Sequence, residues 1–395
     1  MVPNAWEIKK FGDLFKVKSG FGFKHSEYVE AGTPLIKIDN VSHGYVKWNN
    51  VSYLPDLYRE EYSDILLKEG DLLLALNRPI TQGKLKLVKL SNNDVPSILY
   101  QRVGRIDFKK NDLDKDFYLY LLDTAIFRFV SHKAIGSDQP FISTTELKKL
   151  DIVKPPLPEQ RKIANILSTW DKAISTTQRL IDNIKQQKKA LMQQLLTGKK
   201  RLLDDSGKPF VDEWKRVELG KLLDYKQPTP YLVKSTEYSN EYPTPVLTAG
   251  KTFILGYSNE DFGIFSEELP AIIFDDFTTA SKFVNFPFKA KSSAMKILVA
   301  KEGVSIKYIY EAMQVLNHPV GGHQRHWISI FANLVIGLPA PEEQQKIAAV
   351  LINADKEIQL LEQQLSDLKQ EKKALMQQLL TGKRRVKVES QECIA

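Results

Sequence analysis

The sequence predicts an α+β protein in which two α/β domains are separated by a long antiparallel two-helix coiled coil, with a pseudo-twofold internal repeat. Three observations predict it. A helix design occurs twice: Leu157-Pro-Glu-Gln-Arg-Lys-Ile-Ala opens one copy and Ala190-Leu-Met-Gln-Gln-Leu-Leu-Thr-Gly-Lys closes it. The design returns at Pro341–Ala348 and Ala374–Lys383, with Glu159 to Glu343 and Gly198 to Gly382 both 184 positions apart. The apolar positions of both copies follow a heptad. Finally, each copy follows a segment of short strand-like runs bounded by Gly, Asn and Asp turns.

The helices come first because the rest of the chain hangs on them. In the first copy Ile163, Leu167, Trp170, Ile174, Thr177, Ile181, Ile184, Lys188, Leu191 and Leu195 step alternately by four and three. Their counterparts are Ile347, Leu351, Ala354, Ile358, Leu361, Leu365, Leu368, Lys372, Leu375 and Leu379. Such a repeat marks a helix that winds around a partner helix. Pro158 and Pro341 are expected just before each helix, and Gly198 and Gly382 stop each one. About 39 residues at 1.5 Å rise give roughly 58 Å, too long a stripe for a small domain to cover, so each copy is expected to pair with the other. Two unrelated helices, each lying on its own domain, would not share register, caps and seam lysines. Lys188 and Lys372 are expected to be solvated near the ends of the bundle.

Along the chain, residues 1–154 read as the first α/β domain, with strand-like runs at Pro34–Ile38 and Asp71–Leu76 and a helix from Lys115 to about His132 carrying Phe117, Tyr120, Leu121, Phe127 and Val130. The first long-helix segment takes 155–199, a charged linker 200–210, the second α/β domain 211–338, the second helix segment 339–384, and a polar tail 385–395. The domains echo each other faintly. Trp6 with Phe11-Gly-Asp-Leu matches Trp214 with Leu219-Gly-Lys-Leu, 208 positions on; Gln139-Pro-Phe-Ile-Ser matches Arg325-His-Trp-Ile-Ser, 186 positions on. The second domain is therefore about 22 residues shorter, with a shared frame and a divergent middle. On a repeated shaft, that pattern suggests two readers with different targets.

The chain has 395 residues, a formal charge of +8 and one cysteine, Cys393. The basic balance favours a polyanionic partner, and a lone cysteine leaves no disulfide or cysteine-based zinc site. No run approaches a membrane span and the first residues do not read as a signal peptide, so a cytoplasmic protein is expected.

Catalytic motifs fail one by one. Ala249-Gly250-Lys251-Thr252 resembles a phosphate loop, but the glycine required five residues earlier is Pro245. An adenine methyltransferase needs Asn/Asp-Pro-Pro-Tyr/Phe, and the nearest stretches, Lys154-Pro-Pro-Leu and Pro228-Thr-Pro-Tyr, lack its polar head. Asp138 with Glu146 and Lys148 resembles a metal nuclease only loosely. The competing readings are a coiled-coil DNA-associated ATPase, resting on Lys251 and Asp275, and a structural adaptor.

Polar and basic loop residues are what is left: Asn77, Arg78, Thr81, Gln82, Lys84, Gln101, Arg102 and Gln139 in the first domain, and Lys251, Thr278, Thr279, Lys282, Lys289, Lys291, Gln324, Arg325 and His326 in the second. Arg, Gln and Asn pair donors and acceptors to fit base edges, while Lys suits phosphate. With the helix motifs, the chain resembles the specificity subunits of type I restriction–modification systems over its whole length. Ile142-Ser143 and Ile328-Ser329 sit where that family ends each recognition domain. The resemblance implies that each domain reads one half of a split double-stranded DNA site and that the helices dock two methyltransferase subunits. S-adenosylmethionine would bind those partners, ATP and Mg a restriction subunit where one is present, and no cofactor, metal or membrane this chain. It also implies a non-catalytic subunit. Gln345 in place of Arg161, and the extra residue after Pro341, are the departures from the first copy.

Overall fold

The computed structural model describes residues 3–133, 141–248, 250, 252–316 and 326–388. The chain forms two compact units, one of residues 1–176 with 366–395 and the other of residues 177–365.

In the first unit, an antiparallel sheet runs in the order Phe15–Ser19, Val103–Phe108, Leu72–Ala75, Leu87–Lys89. A second four-stranded sheet has the order Ser52–Leu54, Thr33–Ile36, Ser97–Leu99, Leu66–Leu67, and one of its pairings is parallel. The all-apolar run at Leu72–Ala75 is explained by burial on both faces. Leu72 and Leu74 enter the core that includes Phe117, Tyr118 and Leu122 of the Lys115–Lys133 helix; Leu73 and Ala75 enter the core shared with Leu35, Ile36 and Ile98. A strand with no solvent face cannot alternate. The closing ladder pairs Glu7–Lys10 with Asp151–Lys154 antiparallel.

The second unit repeats this design with fewer residues. Its main sheet is Leu223–Lys226, Met295–Ala300, Ala271–Asp275, Ser281–Val284; a three-stranded sheet holds Ile254–Ser258, Thr244–Leu247 and Lys289–Ala290. Ile272 and Phe274 face the core of the Ile306–Val315 helix, and Ala271 and Ile273 face the other. Lys215–Glu218 pairs with Val335–Leu338, again closing the domain just before a long helix.

The two long helices span Leu157–Leu195 and Pro341–Leu379, 39 residues each. Pro158 and Pro341 lie inside the first turn and not before it; a missing N–H breaks no helical bond there. Gly198 and Gly382 follow the helices with φ of +71° and +73°, the left-handed conformation that favours glycine after a helix. The start of the first helix, at Ile163, Ala164 and Leu167, shares a core with Leu379 and Leu380 at the end of the second. In the second unit Leu195 and Leu196 share a core with Ile347, Ala348 and Leu351. Within each unit, then, the segments run antiparallel and pack on the α/β domain as well as on each other. Ile163, Leu167, Ile181, Leu195, Ile347, Leu351, Ile358, Leu365 and Leu379 are buried, and Trp170, Ile174, Ile184, Leu191, Leu361, Leu368 and Leu375 are half-buried. Leu360, one position off the seam, is 72% exposed.

Candidate nucleic-acid interface and helix-pair anchors

In the first unit the strand Leu72–Ala75 delivers the chain into the loop carrying Asn77 and Arg78, then a hairpin of Ile80–Thr81 and Lys84–Leu85. Gln82 and Gly83 turn this hairpin with φ of +51° and +71°, the two-residue geometry that matches strand twist. Thr81, Gln82 and Lys84 are thereby held exposed at its tip. Gln101 and Arg102 occupy the turn before Val103–Phe108, where the Gln101 amide donates to the Tyr100 hydroxyl at 3.3 Å. Arg78 and Arg102 both have left-handed backbone, φ +46° and +66°. They line one cavity of ≈ 330 Å³ with Asp39, Asn77, Lys86 and Phe141. Gln139 lies outside the described residues.

In the second unit Thr278 and Thr279 form the turn after Ala271–Asp275. The Thr278 hydroxyl donates to Asp275 at 2.6 Å, and the backbone N–H of Phe277 donates to the same carboxylate at 3.0 Å. Asp275 is thus occupied in shaping the loop. Lys282 is exposed on the neighbouring strand, and the Lys291 ammonium donates to the Tyr238 hydroxyl at 3.0 Å. Lys289 corrects an expectation. It is fully buried, donating to the Phe262 carbonyl and pairing with Glu260 at 3.1 Å, so it serves the interior and cannot reach a phosphate. Lys251, Gln324 and Arg325 lie outside the described residues, and only the backbone of His326 is described. Among the described residues no group of three His, Cys, Asp or Glu is placed to hold a metal ion.

The seam lysines correct a second expectation. Their side chains are 16% and 17% exposed, and both are ion-paired across the helix pair. Lys372 contacts Asp171 at 2.5 Å and sits over the Tyr120 ring, whose hydroxyl donates to Asp171 at 2.6 Å. Lys188 contacts Asp355 at 2.6 Å, and Lys307 reaches Asp355 at 2.9 Å and Glu311 at 2.6 Å. Each lysine therefore joins both long helices to a helix of the α/β domain. Burial, followed by the Asp171 carboxylate, pushes the Tyr120 phenol well above its ordinary value.

Two further anchors escaped the reading of the sequence. The Trp6 indole and the Arg385 guanidinium both donate to Glu159; Trp214 and Arg201 donate to Glu343 at 3.0 and 2.7 Å. The buried amide of Gln160 donates to the Pro155 carbonyl at 2.8 Å and accepts from the Asp114 N–H at 2.8 Å. Gln344 does the same with Pro339 and Ser305 at 2.8 and 3.0 Å. The signal was present, because Arg201 and Arg385 are also 184 positions apart; nothing in spacing alone said that they would meet a glutamate.

Each of the two α/β modules is anchored to antiparallel helix segments and presents polar and basic loops. The chain belongs to the type I restriction modification DNA specificity domain family, whose model matches residues 3–186 and 211–370. It is 43% identical over 202 residues to the type I restriction enzyme MjaVIII specificity subunit of Methanocaldococcus jannaschii, covering 51% of this chain and 48% of that protein. It is 48% identical over 143 residues to the EcoR124I/EcoR124II specificity subunit of Escherichia coli, covering 35% of each. These two matches span about half and about a third of the relatives' lengths. At 26% identity, the putative MjaX specificity subunit of Methanocaldococcus jannaschii matches over 98% of this chain and 95% of its own length. The fold is that of the type I restriction–modification S subunit from M. genitalium, with a TM-score of 0.65 at 16% identity over 96% of this chain and 97% of the other.

Proposed function

We propose that this chain is the DNA-reading subunit of a cytoplasmic type I restriction–modification complex, with each α/β domain recognising one half of a bipartite double-stranded site. The helix pair docks two methyltransferase subunits, which bind S-adenosylmethionine and carry the chemistry. Restriction subunits, using ATP and Mg, join where the system also cuts. The chain itself performs no covalent step. The observation that carries this reading is the doubled family match, one on each half, each covering an α/β domain and much of the helix that follows it. Asp275, which the ATPase alternative needs at a metal, is instead held by its own loop.

The test compares the purified chain with and without methyltransferase partners. The chain alone should neither transfer methyl groups nor hydrolyse ATP. With partners, methylation should fall on one bipartite motif, and deleting the chain from cells should erase that motif from the methylome. Methyl transfer or ATP hydrolysis by the isolated chain, or an unchanged methylome, would overturn the proposal.

A further inference from the structure

The cavity in the first unit is more specific than a basic patch. Arg78 and Arg102 line it with Lys86 and with one carboxylate, Asp39. Lys86 is a buried residue whose ammonium donates to the Ile38 carbonyl at 2.7 Å, which fixes a positive group in the lining. Burial, which disfavours the charged form, holds its pKa below the usual lysine value. Three backbone segments are laced together around it. The Leu76 N–H donates to the Arg102 carbonyl at 2.9 Å, the Ile142 N–H to the Leu76 carbonyl at 2.7 Å, and Asn77 bridges Phe141. Both arginines have left-handed backbone, a conformation costly for residues other than glycine that persists where the surroundings impose it and concentrates at functional positions.

Resting on the function proposed above, we infer that this cavity reads one G·C pair in the half-site of the first unit. In the major groove guanine presents two acceptors, O6 and N7, and its paired cytosine presents the N4 donor. Arg78 and Arg102 supply donors for guanine, and Asp39 supplies the acceptor for cytosine N4. A phosphate would meet the same arginines but would be opposed by Asp39. Adenine would turn its N6 donor toward a cationic lining. Phe141, 70% exposed at the rim, provides an apolar face for the neighbouring base. Among the described residues the second unit shows no equivalent. Ladder registers make Ala75, opposite Val103, the counterpart of Asp275, opposite Met295. The residues that follow Asp275 are Asp276, Phe277, Thr278 and Thr279, with no arginine among them. The assignment therefore concerns one half-site only.

The experiment uses the complex assembled with its methyltransferase partners and a panel of duplexes varied one base pair at a time. Arg102→Ala and Arg78→Ala should each lose roughly 10- to 100-fold discrimination at one G·C position, with the other half-site read as before. Arg102→Lys keeps the charge but not the planar fork, so it should fold normally and still lose that discrimination. Placing 7-deazaguanine at that position should weaken the wild-type complex and leave Arg102→Ala unaffected. A uniform loss across all duplexes with a shallower salt dependence would identify a phosphate contact and overturn the inference, as would indifference to 7-deazaguanine. A wild-type complex that discriminates no sequence at all would instead sink the proposed function itself, which separates the two failures.

Discussion

At the scale of single residues, Lys188 and Lys372 show how a charge can sit in an apolar seam. A buried ammonium is tolerated when carboxylates repay its lost hydration. Lys188 has Asp355 at 2.6 Å, and Glu311 at 3.4 Å. Glu311 is fully buried, and its Oε2 has that ammonium nearby but no aligned hydrogen bond; its close partner is Lys307 at 2.6 Å. Lys307→Met should therefore cost about 3–5 kcal/mol, the range for stripping one partner from a buried pair, with Lys188→Met costing less; denaturant unfolding measures both. Burial alone would raise the Asp355 carboxyl, but hydrogen bonds from Lys188 and Lys307 outweigh it and hold it below the ordinary carboxylate range. A depressed folded value stabilises the protein above the unfolded pKa of about 3.9 and is lost as pH falls through the folded value. The stability gap between wild type and Asp355→Asn should thus be full at neutral pH and close in acid. A gap independent of pH would show that the pair does not titrate with folding. At the hairpin tip, Lys84→Ala should weaken binding to all duplexes alike and reduce the salt slope by about one.

At the scale of elements, the long helices were legible because a heptad repeat needs no tertiary information. What sequence periodicity could not reveal is that each helix begins inside a domain core: Ile163 and Leu167 satisfy the heptad and also pack with Phe117 and Leu122. A stripe reads the same whether a helix or a sheet covers it. The anchors were illegible for a related reason, since Trp6, Glu159 and Arg385 converge from positions far apart in the chain. Lys289 shows the converse error. Residue type suggested a phosphate contact, but its position on a strand inside a core decides that its charge is spent on Glu260 and two carbonyls. The Arg78 and Arg102 loops were found by residue type, yet the left-handed backbone and the shared cavity are properties of the folded chain. The Glu343 anchor yields a test at this scale. Glu343→Ala leaves the Trp214 indole and the Arg201 guanidinium without their shared acceptor. An unpartnered indole N–H costs about 1–3 kcal/mol if water cannot reach it, so thermal unfolding should shift down. Glu343→Gln, which keeps an acceptor, should recover part of that loss. No recovery would mean that charge and not hydrogen bonding holds the junction.

At the scale of the whole molecule, duplication makes one half a control for the other. The positions 184 apart carry the same chemistry in both units: Asp171 and Asp355 meet the lysines, Gln160 and Gln344 clamp the helix starts, and Glu159 and Glu343 receive Trp and Arg. What differs is the loop after the central strand, which carries Arg78 in the first unit and Thr278 and Thr279 in the second. Equivalent substitutions in the frame should then have equal structural and symmetrical functional consequences. Ile181 and Leu365 are such a pair, both buried on the seam. A carboxylate introduced at either position would lie in an apolar interface without a partner, which is strongly disfavoured. Ile181→Asp and Leu365→Asp should lower the unfolding midpoint by similar amounts. They should also impair docking of the proposed methyltransferase partners, read as the mass of the assembled complex, while substitutions in the loops leave that mass unchanged and alter only sequence preference. If one aspartate variant unfolded normally and assembled normally while the other failed, the seam would be continuous in sequence but not in energy, and the repeat would be ancestry without present function.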